Sequence, residues 1–378
     1  MRVMHINSNY GRDLFYRDLY DLQSQSHRLL VVVPSRLPGQ VRPSSHGPYS
    51  VEIPLGRTQN PLMFKRNYGR AYGFVSQLIS QEPPDLVHAH TLFSNGVLAY
   101  WAHRQFGIPY VVAVRDTDLR IFVKYAPMLV PLGRRILGSA ARIIFLSKSF
   151  RDATMQRLVE AGDRNRLLSR SHVIPNGVSP YWLDNPGLPR SFSATGDLRF
   201  LLVGAISARK NPLGAAHRIA NELRMSSRAW SLTVMGKTPW SPNPIVTRWA
   251  RQIERRLKNT SHVVLTQHGS PDEVRHAMQS ADIFILLSKY ETFGRVYLEA
   301  LSQGLPVLYT KGQGFDGLYP DGDIGFPVDL KVGNDLGGAV DRIISDYDAM
   351  SARCLARAQA AGWGAIKQQY DEIYRLVV

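Results

Sequence analysis

Two carboxylates, Glu291 and Glu299, stand on either side of Thr292-Phe293-Gly294, and the residues around them define what they could do. Ile283 to Leu287 is an uninterrupted apolar run, the pattern of a parallel strand covered on both faces. Tyr290 to Gly294 then reads as the turn at the strand's carboxyl end, and Val296 to Ser302 as a helix closed by Gly304 and Pro306. The amino end of such a helix offers unbonded N–H groups and a positive dipole end, which suit a phosphate. Carboxylates repel phosphate but accept hydrogen bonds from hydroxyls, as an acidic residue does on a ribose. The combination predicts a phosphorylated, hydroxyl-rich ligand, and a nucleotide sugar fits best. The plainer alternative makes both glutamates solvated helix carboxylates.

The elements that would position this site form a regular series. Short apolar strands alternate with amphipathic segments: Val3–Ile6, Leu29–Val33, Leu86–His88, Tyr110–Val114, Ile143–Leu146 and His172–Ile174, then Phe200–Val203, Ser231–Met235, His262–Leu265, Ile283–Leu287 and Pro306–Leu308. That rhythm predicts two doubly wound parallel-sheet domains, and 378 residues exceed the size at which one core usually divides. Asn176 to Gly196, rich in Pro, Gly and Ser, reads as the linker. The expected division is 1–180, 181–361 and a terminal helix over 362–378, whose Trp363, Ile366, Tyr370, Ile373 and Tyr374 form an apolar stripe that must pack on something.

Glu291 and Glu299, followed by Ala300-Leu301 and Gly304-Leu305-Pro306, resemble the signature of the family-four retaining glycosyltransferases of the GT-B fold. Asp85-Leu86-Val87-His88-Ala89-His90, Gly107-Ile108-Pro109-Tyr110-Val111-Val112, Val173-Ile174-Pro175-Asn176-Gly177-Val178, Val203-Gly204 with Arg209-Lys210-Asn211-Pro212, and Ser280-Ala281-Asp282 occur in that family's order and spacing. The resemblance implies an α/β fold of two Rossmann-like domains facing a cleft, the second binding a nucleotide-sugar donor and the first an acceptor. It implies that Glu291 contacts donor-sugar hydroxyls, Glu299 holds the ribose, the backbone at Thr292, Phe293 and Gly294 covers the pyrophosphate beside Gly204, and Lys210 neutralises it. In such folds the terminal helix crosses back onto the first domain.

Three positions depart from the family's pattern. Its Gly-Gly loop after the first strand is here Ser8-Asn9-Tyr10-Gly11-Arg12, leaving Gly11 as the remaining donor-side glycine. Its Gly-Arg at the start of the second domain is Gly204-Ala205, so either Arg209 supplies the missing guanidinium or its side chain points elsewhere. A His that many members carry near the reacting centre is Arg115, in Arg115-Asp116-Thr117-Asp118. An arginine cannot serve as a base at neutral pH. It can stabilise charge on a departing phosphate, or pair with Asp116 or Asp118 as a structural ion pair.

Composition narrows the remaining classes. Residues 1–180 carry 23 Lys and Arg against 11 Asp and Glu, and residues 181–378 carry 23 against 19, within a total of +16. The excess gathers with apolar residues in Arg57 to Tyr72 and Leu119 to Arg142, which suits an anionic membrane surface; an ordinary solvated basic face is the alternative. Nucleic acid would want the same charge, but no nucleic-acid motif accompanies it, so no nucleic-acid partner is expected. The longest apolar runs are too short to span a bilayer, the start of the chain lacks an apolar signal core, and the single cysteine, Cys354, fits a reducing compartment. The expected location is therefore cytoplasmic, peripheral on the inner face of the membrane. Gly312-Gln313-Gly314-Phe315-Asp316-Gly317 matches a dinucleotide fingerprint, but Leu318-Tyr319-Pro320-Asp321-Gly322-Asp323 directly after it cannot open a helix, so it reads as a flexible loop near the donor. His88 and His90 share a strand face, yet no third ligand is evident, and no metal is expected.

The sequence thus predicts a retaining, metal-independent hexosyltransferase without cofactor. Its donor would be a nucleotide-diphosphate sugar, UDP-sugar ahead of GDP-sugar, and its acceptor a lipid-linked or cell-envelope glycan. Glu291, Lys210, Arg209 and Arg115 would be catalytic, with His90, Asp118 and Lys124 on the acceptor side. A nucleotide-sugar epimerase of the same fold and a catalytically silent binding subunit are the alternatives.

Overall fold

A computed structural model of the chain describes residues 1–11, 14–35, 41–44, 46–56, 63–193, 197–224, 228–239, 243–267 and 269–378. Arg12, residues 57–62 of the first basic segment and residues 194–196 of the expected linker lie outside the described residues. The chain divides into two compact units, one comprising Met1–Leu146, Phe150–Ser179 and Trp363–Val378, the other Ser147–Ser149 and Pro180–Gly362.

The first unit is built on strands Arg2–Ile6 (β1), Arg28–Ser35 (β2), Arg42–Pro43 (β3), Ser50–Pro54 (β4), Leu86–Ala89 (β5), Tyr110–Ala113 (β6), Arg142–Phe145 (β7) and Ser171–Val173 (β8). Their order is β3-β4-β2-β1-β5-β6-β7-β8, and every pairing is parallel except β3 with β4. Alternate side chains feed two faces. Met4, Ile6, Val87 and Val112 join Phe64, Ala71 and Val75 of the helix Phe64–Gln81 on one. Val3, Leu86, Val111 and Ile144 join Trp363, Ile366, Tyr370, Ile373 and Tyr374 of the final helix, Trp363–Arg375, on the other. That helix is pinned by polar contacts as well: His27 Nε2 lies 2.9 Å from Asp371, and Lys367 Nζ 2.7 Å from it.

The second unit carries Leu198–Val203 (β9), Trp230–Met235 (β10), Val263–Thr266 (β11), Ile283–Leu286 (β12), Val307–Thr310 (β13) and Gly325–Val328 (β14). They form one parallel sheet in the order β11-β10-β9-β12-β13-β14. Asp282 ties the starts of two central strands together: its carboxylate accepts Arg199 N–H at 2.8 Å and the Arg199 guanidinium at 2.7 Å. β3, β4 and β14 escape the apolar-run reading, because each contains a proline and β14 opens on a glycine, residues that argue against a strand. Gly325 is nevertheless required there. Its φ is +147°, and a Cβ would stand 1.8 Å from the Val307 carbonyl oxygen.

Gly325→Ala should therefore force β13 and β14 apart, costing about 1–3 kcal/mol or more, whereas Gly338→Ala, in a helix with no atom near its would-be Cβ, should be neutral or stabilising by about 1 kcal/mol. Thermal melts compare the two; equal melting temperatures would contradict the close β13–β14 approach.

Candidate functional site

In the second unit the strand order reverses between β9 and β12, and in open parallel sheets ligands gather outside the carboxyl ends at such a point. The segment after β9 leads through Gly204 to Arg209, Lys210 and Asn211, and the segment after β12 leads to Glu291. Asn211 adopts a left-handed φ of 56° ahead of Pro212, the first residue of the helix Pro212–Glu222, and its side chain donates to the Leu287 carbonyl at 3.1 Å. The two segments are further joined by Lys289 N–H to Arg209 O, 2.8 Å.

These contacts bring Lys210 Nζ to 2.6 Å from Glu291 Oε2, with side chains only 13% and 9% exposed. Arg209 Nη1 lies 3.9 Å from the same oxygen and donates to Tyr290 O at 3.4 Å. Its guanidinium therefore shares the Glu291 carboxylate with Lys210. Glu291 is held by its backbone as well, since its N–H donates to Gln313 Oε1 at 3.0 Å and its carbonyl accepts Gly314 N–H at 2.8 Å.

The loop carrying Gln313 and Gly314 differs from the flexible segment expected. Gly314 presses on the Thr292–Phe293 peptide so closely that a Cβ would lie 2.0 Å from the Thr292 carbonyl carbon. Phe315 is buried and stacks on Tyr297, ring centroids 4.5 Å apart. The loop is thus fastened to the turn before the helix Arg295–Ser302. Gly294 precedes that helix in a left-handed conformation and, being glycine, contributes no capping side chain of its own. Glu299 lies within the same helix, half-buried, and its carboxylate makes no hydrogen bond or ion pair among the described residues. Burial pushes its pKa up to about 7, with the Arg295 charge pulling the other way.

The first unit collects a different set at the carboxyl ends of β1, β5 and β6. His5 pairs in register with His88 across β1 and β5. His5 Nδ1 and His90 Nε2 are 3.0 Å apart, Tyr20 OH is 3.1 Å from His90 Nε2, and Tyr374 OH is 2.7 Å from His88 Nδ1. All three rings are buried, and burial holds them neutral, His5 down to about 3. Arg115 is 8% exposed, and its three guanidinium nitrogens lack a hydrogen-bond partner among the described residues. Burial opposes its charge, but the phenols of Tyr16 and Tyr370 favour it and leave its pKa raised.

The ion pair open to Arg115 in the sequence does not form. Asp116 binds Arg120 at 3.0 Å, and the buried Asp118 accepts the backbone N–H groups of Leu92, Phe93 and Arg115 at 3.0, 3.1 and 2.8 Å. Asp118 thus fastens the segment after β5, and burial lifts its pKa to about 6 despite those bonds. Lys124 is exposed over the Tyr125 ring. Gly11 sits on an exposed turn of the first unit, and His90 belongs to the buried cluster. Gln313, Asn211 and His5 were missed. Gln313 and Asn211 lay inside motifs already read for other reasons, and only strand pairing could place His5 beside His88.

His5 also corrects the sequence reading that no third ligand accompanies His88 and His90, since the three rings offer nitrogens within 4.8 Å of one another. Their fit to a dication is poor. His5 and His90 share a hydrogen bond, His88 is engaged by Tyr374, and the Arg115 charge that depresses His88 and His90 would repel a cation equally.

Comparison with known proteins bears on the family and the fold. Residues 16–177 match the model of a glycosyl transferase 4-like domain and residues 189–360 that of glycosyl transferases group 1. Alpha-monoglucosyldiacylglycerol synthase of Streptococcus pneumoniae is 26% identical over 63% of this chain and 54% of its own length, so the match spans about half of that relative. Among solved structures, sucrose-phosphate synthase of Thermosynechococcus elongatus superposes with a TM-score of 0.74 at 18% identity, covering 99% of this chain and 98% of that one. Anabaena HepE in complex with UDP gives 0.69 at 18% identity, covering 98% and 99%. With two parallel-sheet Rossmann-like domains and both halves matched in order, the chain belongs to the group 1 glycosyltransferases of the GT-B fold.

Proposed function

We propose that the protein is a retaining glycosyltransferase that moves a hexosyl unit from a nucleotide-diphosphate sugar, UDP-sugar ahead of GDP-sugar, to a lipid-linked or cell-envelope glycan. The observation that carries this reading is the set formed by Lys210, Glu291, Glu299 and the amino end of the helix Arg295–Ser302 around one switch point. The helix end and Lys210 receive the pyrophosphate, the Glu299 carboxylate accepts from ribose hydroxyls, and Glu291 accepts from the sugar. The UDP bound in HepE and the glucolipid in the name of the pneumococcal relative support the donor and acceptor classes.

Retention with a protein nucleophile would need a carboxylate free to attack the sugar. On this reading Glu291 is instead paired with Lys210 before the donor binds and engaged by the sugar's hydroxyls afterwards. The reading that fits is attack on the face that the phosphate leaves, with catalysis by positioning and by charge from Lys210, Arg209 and the helix end. Arg115 is the first domain's candidate for stabilising an anion. The scheme requires no metal and no cofactor.

Peripheral membrane attachment is part of the proposal. Among the described residues no helix is long and apolar enough to cross a membrane. The segment Phe64 to Tyr72 buries Phe64 and Tyr68, leaving Lys65, Arg66 and Arg70 as surface charge. In the second basic segment Ile121, Tyr125 and Met128 are 42%, 66% and 56% exposed beside Arg120 and Lys124. Apolar and basic groups there suit an anionic leaflet.

Release of UDP from UDP-sugar only when glycan or lipid acceptor is supplied tests the activity; release without acceptor, or epimerised donor, would overturn transfer. Lys210→Ala should lower turnover by two orders of magnitude or more, in line with losses of about 10²–10³ on removing one oxyanion-stabilising donor. Glu299→Gln should weaken UDP and UDP-sugar alike by about 1.5–3 kcal/mol, as loss of a charge-assisted hydrogen bond does, while Glu291→Gln should weaken chiefly the sugar-bearing form; calorimetry decides.

Glu299 also sets a pH dependence. Its folded pKa, raised from 4.5 to about 7, means that the folded protein keeps a proton the unfolded chain loses, so this group's stability is full below pH 4.5 and is lost as pH rises through 7. Glu299→Gln should match the wild type in chemical denaturation at pH 4 and exceed it at pH 8. UDP affinity should climb between pH 6 and 8 more steeply in the wild type than in the variant.

A further inference from the structure

The helix Pro244–Lys258 is the least buried long helix of the second unit: of its fifteen residues only Ala250 and Leu257 are buried. Its outer surface is not the polar one such a position calls for. Ile245, Val246 and Trp249 are 64%, 47% and 62% exposed. Helical spacing puts Ile245, Trp249, Gln252 and Arg256 in one stripe and Arg248 with Arg255 in the next, both turned away from Ala250 and Leu257. The start is fixed, since Asn243 Oδ1 accepts Ile245 N–H at 3.0 Å and Pro244 occupies the first turn.

Charge identifies what such a face would meet. The helix carries Arg248, Arg251, Arg255, Arg256 and Lys258 against one acid, Glu254. Glu254 is engaged by Lys258 at 3.0 Å and by Thr238, while Arg248, Arg255 and Arg256 form no ion pair among the described residues. A protein partner with a matching acidic and apolar groove would leave most of these arginines desolvated in fixed pairs. A bilayer with anionic headgroups takes them without fixed geometry, because long side chains reach the headgroups while Ile245 and Trp249 enter the boundary below. Trp is the side chain most at home at that depth.

We propose that the outer face of the helix Pro244–Lys258 is a membrane-docking surface that lies flat on an anionic leaflet, with Ile245 and Trp249 inserted and Arg248, Arg255 and Arg256 on the headgroups. It rests on the reading of a lipid-linked acceptor and extends attachment to the nucleotide-binding domain. The helix holds none of the candidate donor residues, so docking and donor binding are separable.

The test is sedimentation with phosphatidylcholine vesicles, with and without phosphatidylglycerol, at low salt. The wild type should bind the anionic vesicles, and Ile245→Ser/Trp249→Ser and Arg248→Ser/Arg255→Ser/Arg256→Ser should each bind at least tenfold more weakly, with circular dichroism unchanged. Brominated phosphatidylcholine mixed into anionic vesicles should quench wild-type tryptophan fluorescence more than that of Trp249→Phe. Undiminished binding by both multiple variants, or equal quenching of Trp249→Phe, overturns the proposal even if the exposed segment at Ile121 still attaches the protein. Binding of a labelled single-stranded RNA in place of vesicles overturns it in favour of nucleic acid. UDP affinity, measured separately by calorimetry, reports on the donor reading alone, so a protein that binds vesicles but no UDP would sink that reading and leave the docking helix standing.

Discussion

The Lys210–Glu291 pair is the interaction on which the second domain's site depends. Its two halves come from loops after β9 and β12, adjacent strands whose crossovers leave in opposite directions. Neither side chain could be so little exposed alone, because an unpaired charge at that depth costs several kcal/mol. The pair therefore dictates how closely the two loops approach, and the surrounding bonds serve it. Asn211 and Lys289 lock the loops to each other, Gln313 and Gly314 clamp the Glu291 backbone from the side of β13, and Arg209 adds a second positive charge at 3.9 Å. Glu299 is left outside the pairing: its carboxylate has no hydrogen bond or ion pair among the described residues, and burial raises its pKa.

The first domain manages buried polarity in the opposite way. It keeps His5, His88 and His90 neutral and bonds them to one another and to Tyr20 and Tyr374, so that the terminal helix closes over a network instead of a charge. Arg115, the charge in that network, has the phenols of Tyr16 and Tyr370 beside it and no counterion among the described residues. Asp118, the nearest carboxylate along the chain to be buried, is committed to three backbone N–H groups.

Much of this was legible before the structure, and the reasons are physical. Parallel strands buried on both faces leave continuous apolar runs, so β12 and its neighbours announce themselves, and the stripe from Trp363 to Tyr374 follows from helical period. Motif order brought Lys210, Glu291 and Glu299 together as candidates because the loops that hold the first two are short. β3, β4 and β14 escape the apolar-run reading because each contains a proline, which argues against a strand, although here it stands at the end of β3 and β4 and in the edge strand β14. The bonds of Asp118 could not be foreseen, because nothing local to a carboxylate says whether its partners are ligands or N–H groups from twenty-odd residues away. Lone exposed apolar residues are equally silent, for Ile245 and Trp249 fit a buried helical face as well as an open one.

On the proposed function, the Lys210–Glu291 ion pair changes how affinity is built. A pyrophosphate draws Lys210 from Glu291, and the cost of separating them falls on Glu291, which is 9% exposed and would keep the Thr292 N–H at 3.2 Å and the more distant Arg209 guanidinium as partners. A donor that also presents sugar hydroxyls gives Glu291 new hydrogen bonds as Lys210 leaves, so both members of the pair exchange partners together. A nucleotide diphosphate without sugar satisfies only the lysine. Partner exchange of this kind raises affinity for the intact donor relative to the product it becomes, because leaving a buried charge unmet costs more than an ordinary hydrogen bond contributes. The same asymmetry favours product release: once the sugar has gone, re-forming the Lys210–Glu291 pair works against the bound diphosphate.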